Sequence, residues 1–222
     1  MRKFLLVVSI FMLFSPLTRA GELIDGIVAR VNGHVILLSD WDDAVRFESF
    51  ASARTVESFS PSDRQAVLGR LVDQELLREQ IHQSDSVQAP PEVIDSKIAE
   101  IRSQYPEGGD EAEWTALLRR YHLNAADLRQ RVITQIELMR LVDVRLRPNI
   151  KIDEKMIERY YNDHFRSGPQ QQPAVTLASV SPQIQELLIQ QKLGELLDSW
   201  LQTLRAGSQI ENNFSPDASR TE

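Results

Sequence analysis

Side chains able to carry out chemistry are few in this sequence, and they are widely spaced. His34, His82, His122 and His164 do not fall at the close spacing of a zinc motif, and the chain has no cysteine. It also has no glycine-rich loop of the kind that cradles phosphates, so ATP-driven action is not supported. We therefore predict no catalytic residue, no metal ligand and no cofactor.

The densest group of ionisable side chains is acidic and consists of Asp40, Asp42 and Asp43, directly after Ser39. Three neighbouring carboxylates could form a cation site or a catalytic pair. They are also typical of the first turn of a helix, where acids interact favourably with the positive end of the helix dipole. We favour the second interpretation, and we predict Ser39 as the N-cap.

Aromatic side chains are the remaining candidates for function. Phe47, Phe50 and Phe59 lie in or beside the polar stretch "ASARTVESFSPSD", whose serines, threonine, glutamate and arginine give little reason for burial. Exposed aromatic groups can bind apolar parts of an extended polypeptide. We therefore predict these three residues as a binding site for unfolded clients, with burial in a core as the alternative.

The first twenty residues have the pattern of a secretory signal peptide. Arg2 and Lys3 precede an apolar run from Phe4 to Leu13, and Ala20 stands at a small-residue cleavage position. The run is too short for a membrane anchor, although an uncleaved anchor is the alternative. Cleavage would change the formal charge from −7 to −10, because three basic residues are lost. Such an acidic chain repels phosphate backbones, so we predict no nucleic-acid partner.

Helical periodicity dominates the rest of the chain, and we predict a mainly α fold. An exception comes first: two apolar runs flank Asn32 and Gly33, a pair typical of tight β-hairpins. A lone hairpin is marginally stable in water, so it needs a cover. The residues 208–211 could supply a third strand along its open edge. The predicted hairpin strands are 27–31 and 35–38, and the predicted helices include 61–83, 153–165 and 182–205.

Several stretches resemble the N-terminal domain of SurA-type periplasmic chaperones, which belong with the parvulin-containing foldases. They include "DGIVARVNGHVILLSDWD" (25–42), "LVDQELLREQ" (71–80), "VQAPPEVI" (87–94), "LRQRVITQIELMRLVDVRLRPNIKIDEKMIERYY" (128–161) and "LGELLDSWLQTLRAGSQIE" (193–211). The resemblance implies a helical chaperone core in the periplasm that binds unfolded polypeptides, including outer-membrane protein precursors. None of the stretches is a catalytic signature, so their order along the chain carries the resemblance.

The resemblance also predicts how the chain is divided. In that family the segment ending at Phe165 leads into a parvulin domain, but here 16 residues separate Phe165 from Pro182. A globular domain usually takes about 50 residues or more. The predicted parts are a signal peptide (1–20), a SurA N-terminal-like domain (21–165), a linker (166–181), a C-terminal helix and strand (182–211) and a disordered tail (212–222).

Three functions follow from these observations. The first is an ATP-independent holdase without prolyl-isomerase activity, as the resemblance implies. The second is a prolyl isomerase of the parvulin type, against which the short gap argues. The third is a SurA-like module that binds one dedicated partner. The sequence alone distinguishes the first function from the third poorly. Binding of many clients needs an adaptable apolar surface, whereas binding of one dedicated partner needs a fixed hot spot.

Overall fold

A computed structural model describes residues 25–81, 88–166 and 176–213, and the fold in these ranges is mainly α, as predicted. It contains one three-stranded antiparallel sheet and seven α-helices. The strands are β1 (Ile27–Val31), β2 (His34–Leu37) and β3 (Ile210–Asn212). The helices are α1 (Leu38–Ala51), α2 (Pro61–Arg78), α3 (Pro91–Ser103), α4 (Glu111–Arg120), α5 (Ala125–Leu146), α6 (Glu154–Tyr161) and α7 (Leu177–Gly207).

The predicted hairpin is confirmed. Asn32 and Gly33 have φ angles of 49° and 89°, the left-handed values that a type I′ turn requires at both central positions. Glycine adopts this conformation without strain and asparagine tolerates it, which is why this pair connects β1 and β2. The second strand ends at Leu37, one residue earlier than predicted, because α1 begins at Leu38.

The predicted third strand is also present, but it starts two residues later than predicted and ends one residue later. Strand β3 pairs antiparallel with β1, and the order across the sheet is β2, β1, β3. The backbone N–H of Asn213 donates to the carbonyl of Val28 at 2.9 Å. Residues 212 and 213 are therefore part of the sheet, and the predicted tail begins too early. Residues 214–222 lie outside the described ranges.

The start of α1 differs from the prediction, because Ser39 is not its N-cap. Ser39 lies inside the helix, where its N–H and hydroxyl both donate to the carboxylate of Asp25. The carboxylate of Asp40 instead accepts the backbone N–H of Leu37 at 3.0 Å. Two carboxylates therefore satisfy donors at this helix start, which agrees with the electrostatic interpretation of the acidic group.

Local signals place the starts of α2 and α5 correctly. Ser60 and Asp63 form a capping box at α2, with Pro61 at the first helical position, and Asn124 and Asp127 form one at α5. The hydrogen bonds from Ser60 lower the pKa of the Asp63 carboxyl. Helix α2 ends at Arg78, short of the predicted end at 83, and residues 82–87 lie outside the described ranges.

Helix α7 begins at Leu177, so residues 177–181 are helical rather than part of a linker. Pro182 was predicted to open this helix, but it lies more than one turn inside it. Proline has no N–H, so at this position the helix lacks the backbone hydrogen bond that residue 182 would otherwise donate to the carbonyl of residue 178. Packing of the buried Ile184 offsets that loss. Residues 167–175 of the predicted linker, and the predicted signal peptide, lie outside the described ranges.

Three groups of buried side chains hold the elements together. The first joins the sheet to α1 and α2, and the second joins Phe50 of α1 to α3, α4 and the first half of α5. In the third, the apolar side of α7 covers Leu77 at the end of α2 and Leu138, Val142 and Leu146 in the second half of α5. Because α7 contacts both long helices and leads into β3, the C-terminal segment completes the fold that the N-terminal segment begins.

Candidate functional site

A groove of about 730 Å³ lies between the sheet and four of the helices. One side is formed by β2, α1 and α2, and the other by α3 and α5. Each helix contributes one stripe of side chains. On α1 the stripe includes Asp40, Ala44 and Phe47, and on α5 it includes Arg131, Gln135 and Leu138. These spacings of three and four residues put side chains on one face of a helix.

The groove has an apolar floor with polar walls. Val67, Ile101 and Leu138 are buried at the floor, while Phe47 and Leu71 are half-buried and remain accessible from the groove. The polar part includes the exposed amide side chains of Gln74, Gln104, Gln130 and Gln135. A surface of this kind combines apolar contact with groups that donate and accept hydrogen bonds, which suits a polypeptide.

The charged side chains of the groove pair largely with each other. Arg70 forms an ion pair with Glu48. The guanidinium of Arg131 lies 4.0 Å from the Asp43 carboxylate and 5.2 Å from the centre of the Phe47 ring. The groove therefore has little net charge of its own, although the whole chain is acidic.

A third pairing lies on the β2 side of the groove. Glu75 is nearly buried, and its carboxylate accepts a hydrogen bond from Arg78 at 3.1 Å. The Nδ1 atom of His34 lies 3.5 Å from the other carboxylate oxygen. Arg78 and His34 thus provide partners for the buried carboxylate of Glu75, which is the arrangement of a structural ion pair.

Of the three phenylalanines predicted to bind clients, the structure brings only Phe47 to the groove. Phe50 is fully buried, with its ring centre 5.1 Å from that of Tyr105 and 5.5 Å from that of Tyr121. Phe59 is 9% exposed, and the guanidinium of Arg54 lies 4.4 Å from its ring centre.

The expectation that Phe50 and Phe59 are exposed is therefore wrong. A short 3₁₀ turn, Val56–Ser58, folds the polar loop so that both Val56 and Phe59 pack on the sheet and α2 core. Phe50 lies near the end of α1 and points away from the groove, into the aromatic group between α3, α4 and α5. The polarity of neighbouring residues does not report these directions, because they are set by the turn before Phe59 and by the helices that pack around Phe50.

Two carboxylates of the acidic group after Ser39 lie beside basic side chains. The carboxylate of Asp42 lies 3.7 Å from Arg64, and that of Asp43 accepts a hydrogen bond from Arg46 at 2.8 Å. In the parts of the chain that the structure describes, no three histidines or acids come together in a way that could hold a metal.

None of the helices within the described ranges is both long enough and apolar enough to cross a lipid bilayer.

The family model of the SurA-like N-terminal domain matches residues 3–142, well over half of the chain. The chain belongs to this family. All residues that line the groove lie within the part that matches the SurA-like N-terminal domain. No parvulin domain is matched. Among curated proteins, no sequence matches this chain.

Sequence reasoning missed most of the SurA-like domain's groove, including Leu71, Gln74, Arg131 and Gln135. The spacing of Gln74 from Leu71 and of Gln135 from Arg131 does place each pair on one helix face. Such spacing could have suggested two stripes of mixed polarity. It could not show that the stripes face each other, because that depends on how α2 and α5 meet at Leu77 and Leu138.

Proposed function

We propose that this protein is an ATP-independent holdase that binds unfolded polypeptides in the groove. The observation that carries the proposal is an open groove with an apolar floor, exposed amides on its walls and charges that pair among themselves. A SurA-like N-terminal domain is a chaperone-type module, and polypeptide binding is consistent with it. We propose that Phe47 contacts clients, as predicted from the sequence, and that Leu71 is a second contact.

The proposed site of action is the periplasm, and the proposed clients are unfolded secreted proteins, above all outer-membrane protein precursors. The predicted signal peptide and the family support this localisation. The acidic surface would keep a protein with an open apolar groove soluble. We propose no isomerase activity, because residues 167–175 between the described helical segments are far fewer than the roughly 50 of a small domain.

The groove supports weak and reversible binding. Only a few apolar side chains are accessible in it, so affinities on the order of micromolar, or about −8 kcal/mol, are expected. A client held this weakly leaves when its own folding or membrane insertion competes, without nucleotide. Because the groove's charges already have partners, raising the salt concentration should change the affinity little.

The test is suppression of aggregation across a panel of unrelated unfolded proteins. We expect the wild type to protect most of them, and Phe47→Ser to weaken client affinity about fivefold through loss of roughly 1 kcal/mol of apolar contact. Leu187→Ser is the matched control, because Leu187 is 38% exposed on α7 and lies outside the groove.

Two results would contradict the proposal. If the protein protects no member of the panel, the proposed holdase function is refuted. If it protects a single member, a module with one dedicated partner is favoured instead. Circular dichroism of both variants checks that helix content is unchanged.

A further inference from the structure

One edge of strand β2 faces the groove. Its only strand neighbour among the described residues is β1, because the sheet order is β2, β1, β3. His34, Val35 and Ile36 are consecutive, and all three line the groove. Since successive side chains of a strand point to opposite faces of the sheet, three consecutive residues can line one cavity only where the strand presents its edge.

The hydrogen-bond pattern of the sheet shows which backbone groups lie on that edge. The N–H of Asn32 donates to the carbonyl of Gln209, next to β3, at 2.9 Å. Because backbone groups alternate in direction, Arg30 also turns its N–H and C=O towards β3. Arg30 is the register partner of Val35. The pair is therefore not hydrogen-bonded, and the N–H and C=O of Val35 point away from β1, into the groove.

Leu37 confirms this direction and closes one end of the edge. It lies two residues after Val35, so its N–H points to the same side, and there it donates to the carboxylate of Asp40 at 3.0 Å. The side chain of Asp40 thus covers the edge beyond Val35. Carboxylates placed in this way limit unspecific strand pairing. The open part of the edge is short and is centred on Val35.

The surroundings of Val35 indicate what could pair with it. The ion pairs of Arg70 with Glu48 and of Arg131 with Asp43 leave the groove with little net charge to attract a charged ligand. The exposed amides of Gln74 and the three other groove glutamines can bond either a carbonyl or an N–H. An uncharged extended polypeptide offers both kinds of group, together with apolar side chains for the floor.

We propose that an extended client segment adds to the sheet as a strand beside β2. One client residue pairs with Val35 through two backbone hydrogen bonds, and the segment's alternate side chains face the groove floor near Phe47 and Leu71. The recognised class is therefore uncharged, strand-forming sequence, and helical segments are excluded. This inference rests on the proposed function, since it specifies how the same groove holds its clients.

The test is an N-methyl scan of a short synthetic peptide with a non-repeating, uncharged, alternating apolar sequence. A single N-methyl group, which removes one backbone donor, is moved along the peptide, and affinity for the full protein is measured by fluorescence anisotropy. We expect affinity to fall about tenfold at the residue that pairs with Val35 and to recover at both of its neighbours. A peptide held only by side chains would not show this alternation.

Two variants test the protein side of the pairing. Val35→Pro removes the N–H at an edge position where proline is tolerated, and Val35→Ala keeps it. We expect Val35→Pro to bind the parent peptide about tenfold more weakly than Val35→Ala. If Val35→Pro does not fold, the scan with the wild-type protein decides the question alone.

The possible failures can be told apart. Binding of the parent peptide with no alternation in the scan overturns strand addition and leaves the proposed function standing. No binding of the parent peptide overturns both. A wild type that dimerises in sedimentation velocity, with Val35→Pro monomeric, would mean that a second copy of the chain occupies β2, which also overturns the inference.

Discussion

Replacing Phe50 by alanine should destabilise the protein strongly, because this ring is the centre of an aromatic core. It is fully buried, and its ring centre lies 5.1 Å from that of Tyr105, 5.5 Å from that of Tyr121 and 5.9 Å from that of Trp114. Truncation of a buried phenylalanine to alanine costs about 3–5 kcal/mol. For a chain of this length each kcal/mol lowers the melting temperature by roughly 2–4 °C, so a decrease of roughly 6–20 °C is expected.

The matched control is Phe47→Ala, one turn earlier on the same helix. Its ring is half-buried and lines the groove, so we expect a cost of about 1 kcal/mol. Urea unfolding followed by far-UV circular dichroism measures both variants on one scale. Equal costs for the two substitutions, or a cost below 1 kcal/mol for Phe50→Ala, would refute the assignment of Phe50 to the core and Phe47 to the groove.

Two further predictions concern the packing around this core and at α7. Burial raises the pKa of Tyr105 to about 12, above its value of about 10 in an unfolded chain, so its neutral form stabilises the fold below pH 10. This contribution is lost as the pH rises from about 10 to about 12. Because phenylalanine has no ionisable hydroxyl, the unfolding free energy of Tyr105→Phe should fall less over that range than that of the wild type. Parallel pH profiles of the two proteins would contradict this. On α7, Leu204 packs against two of the three core groups, whereas Leu187 is 38% exposed. In urea titrations, Leu204→Ala should therefore lower the free energy of unfolding by about 2 kcal/mol, and Leu187→Ala by less than about 0.5 kcal/mol. A reversed order would mean that α7 packs through its other face.

Features encoded by adjacent residues could be predicted from the sequence. Asn32 and Gly33 fix the hairpin through their own backbone conformations, and Ser60 with Asp63 fixes the start of α2 through two local hydrogen bonds. The third strand could also be predicted, because a hairpin of this size needs a cover. For the hairpin and the start of α2, a few neighbouring residues carry the whole physical cause, whereas the third strand is predicted only from the open edge that the hairpin leaves.

Features that depend on contacts between distant residues could not be predicted in the same way. Phe59 is buried because it packs against the sheet and α2, and Phe50 is buried because α3, α4 and α5 meet around it. The groove is a further example, since Phe47 and Gln135 come from helices far apart in sequence. Polarity of the surrounding sequence reports average exposure, whereas these side chains are positioned by tertiary packing.

The start of α7 shows a third kind of limit. Pro182 follows Ser181 and has the usual pattern of a helix start, yet the helix begins five residues earlier, at Leu177. Proline disfavours a helix interior by removing one hydrogen bond, and tertiary packing can outweigh that cost. Here Ile184 is buried one half-turn after the proline, which holds this part of the helix in place.

Site-specific photo-cross-linking tests the central claim, that unfolded polypeptides bind in the groove, most directly. A photoreactive amino acid is placed at Gln135, which is exposed in the groove, or at Gln185, which is exposed on α7 and does not line it. Each protein is irradiated with an unfolded outer-membrane protein. We expect strong cross-linking from position 135, reduced by an excess of uncharged strand-forming peptide, and little from position 185. Equal cross-linking from both positions, or more from position 185, would contradict the claim.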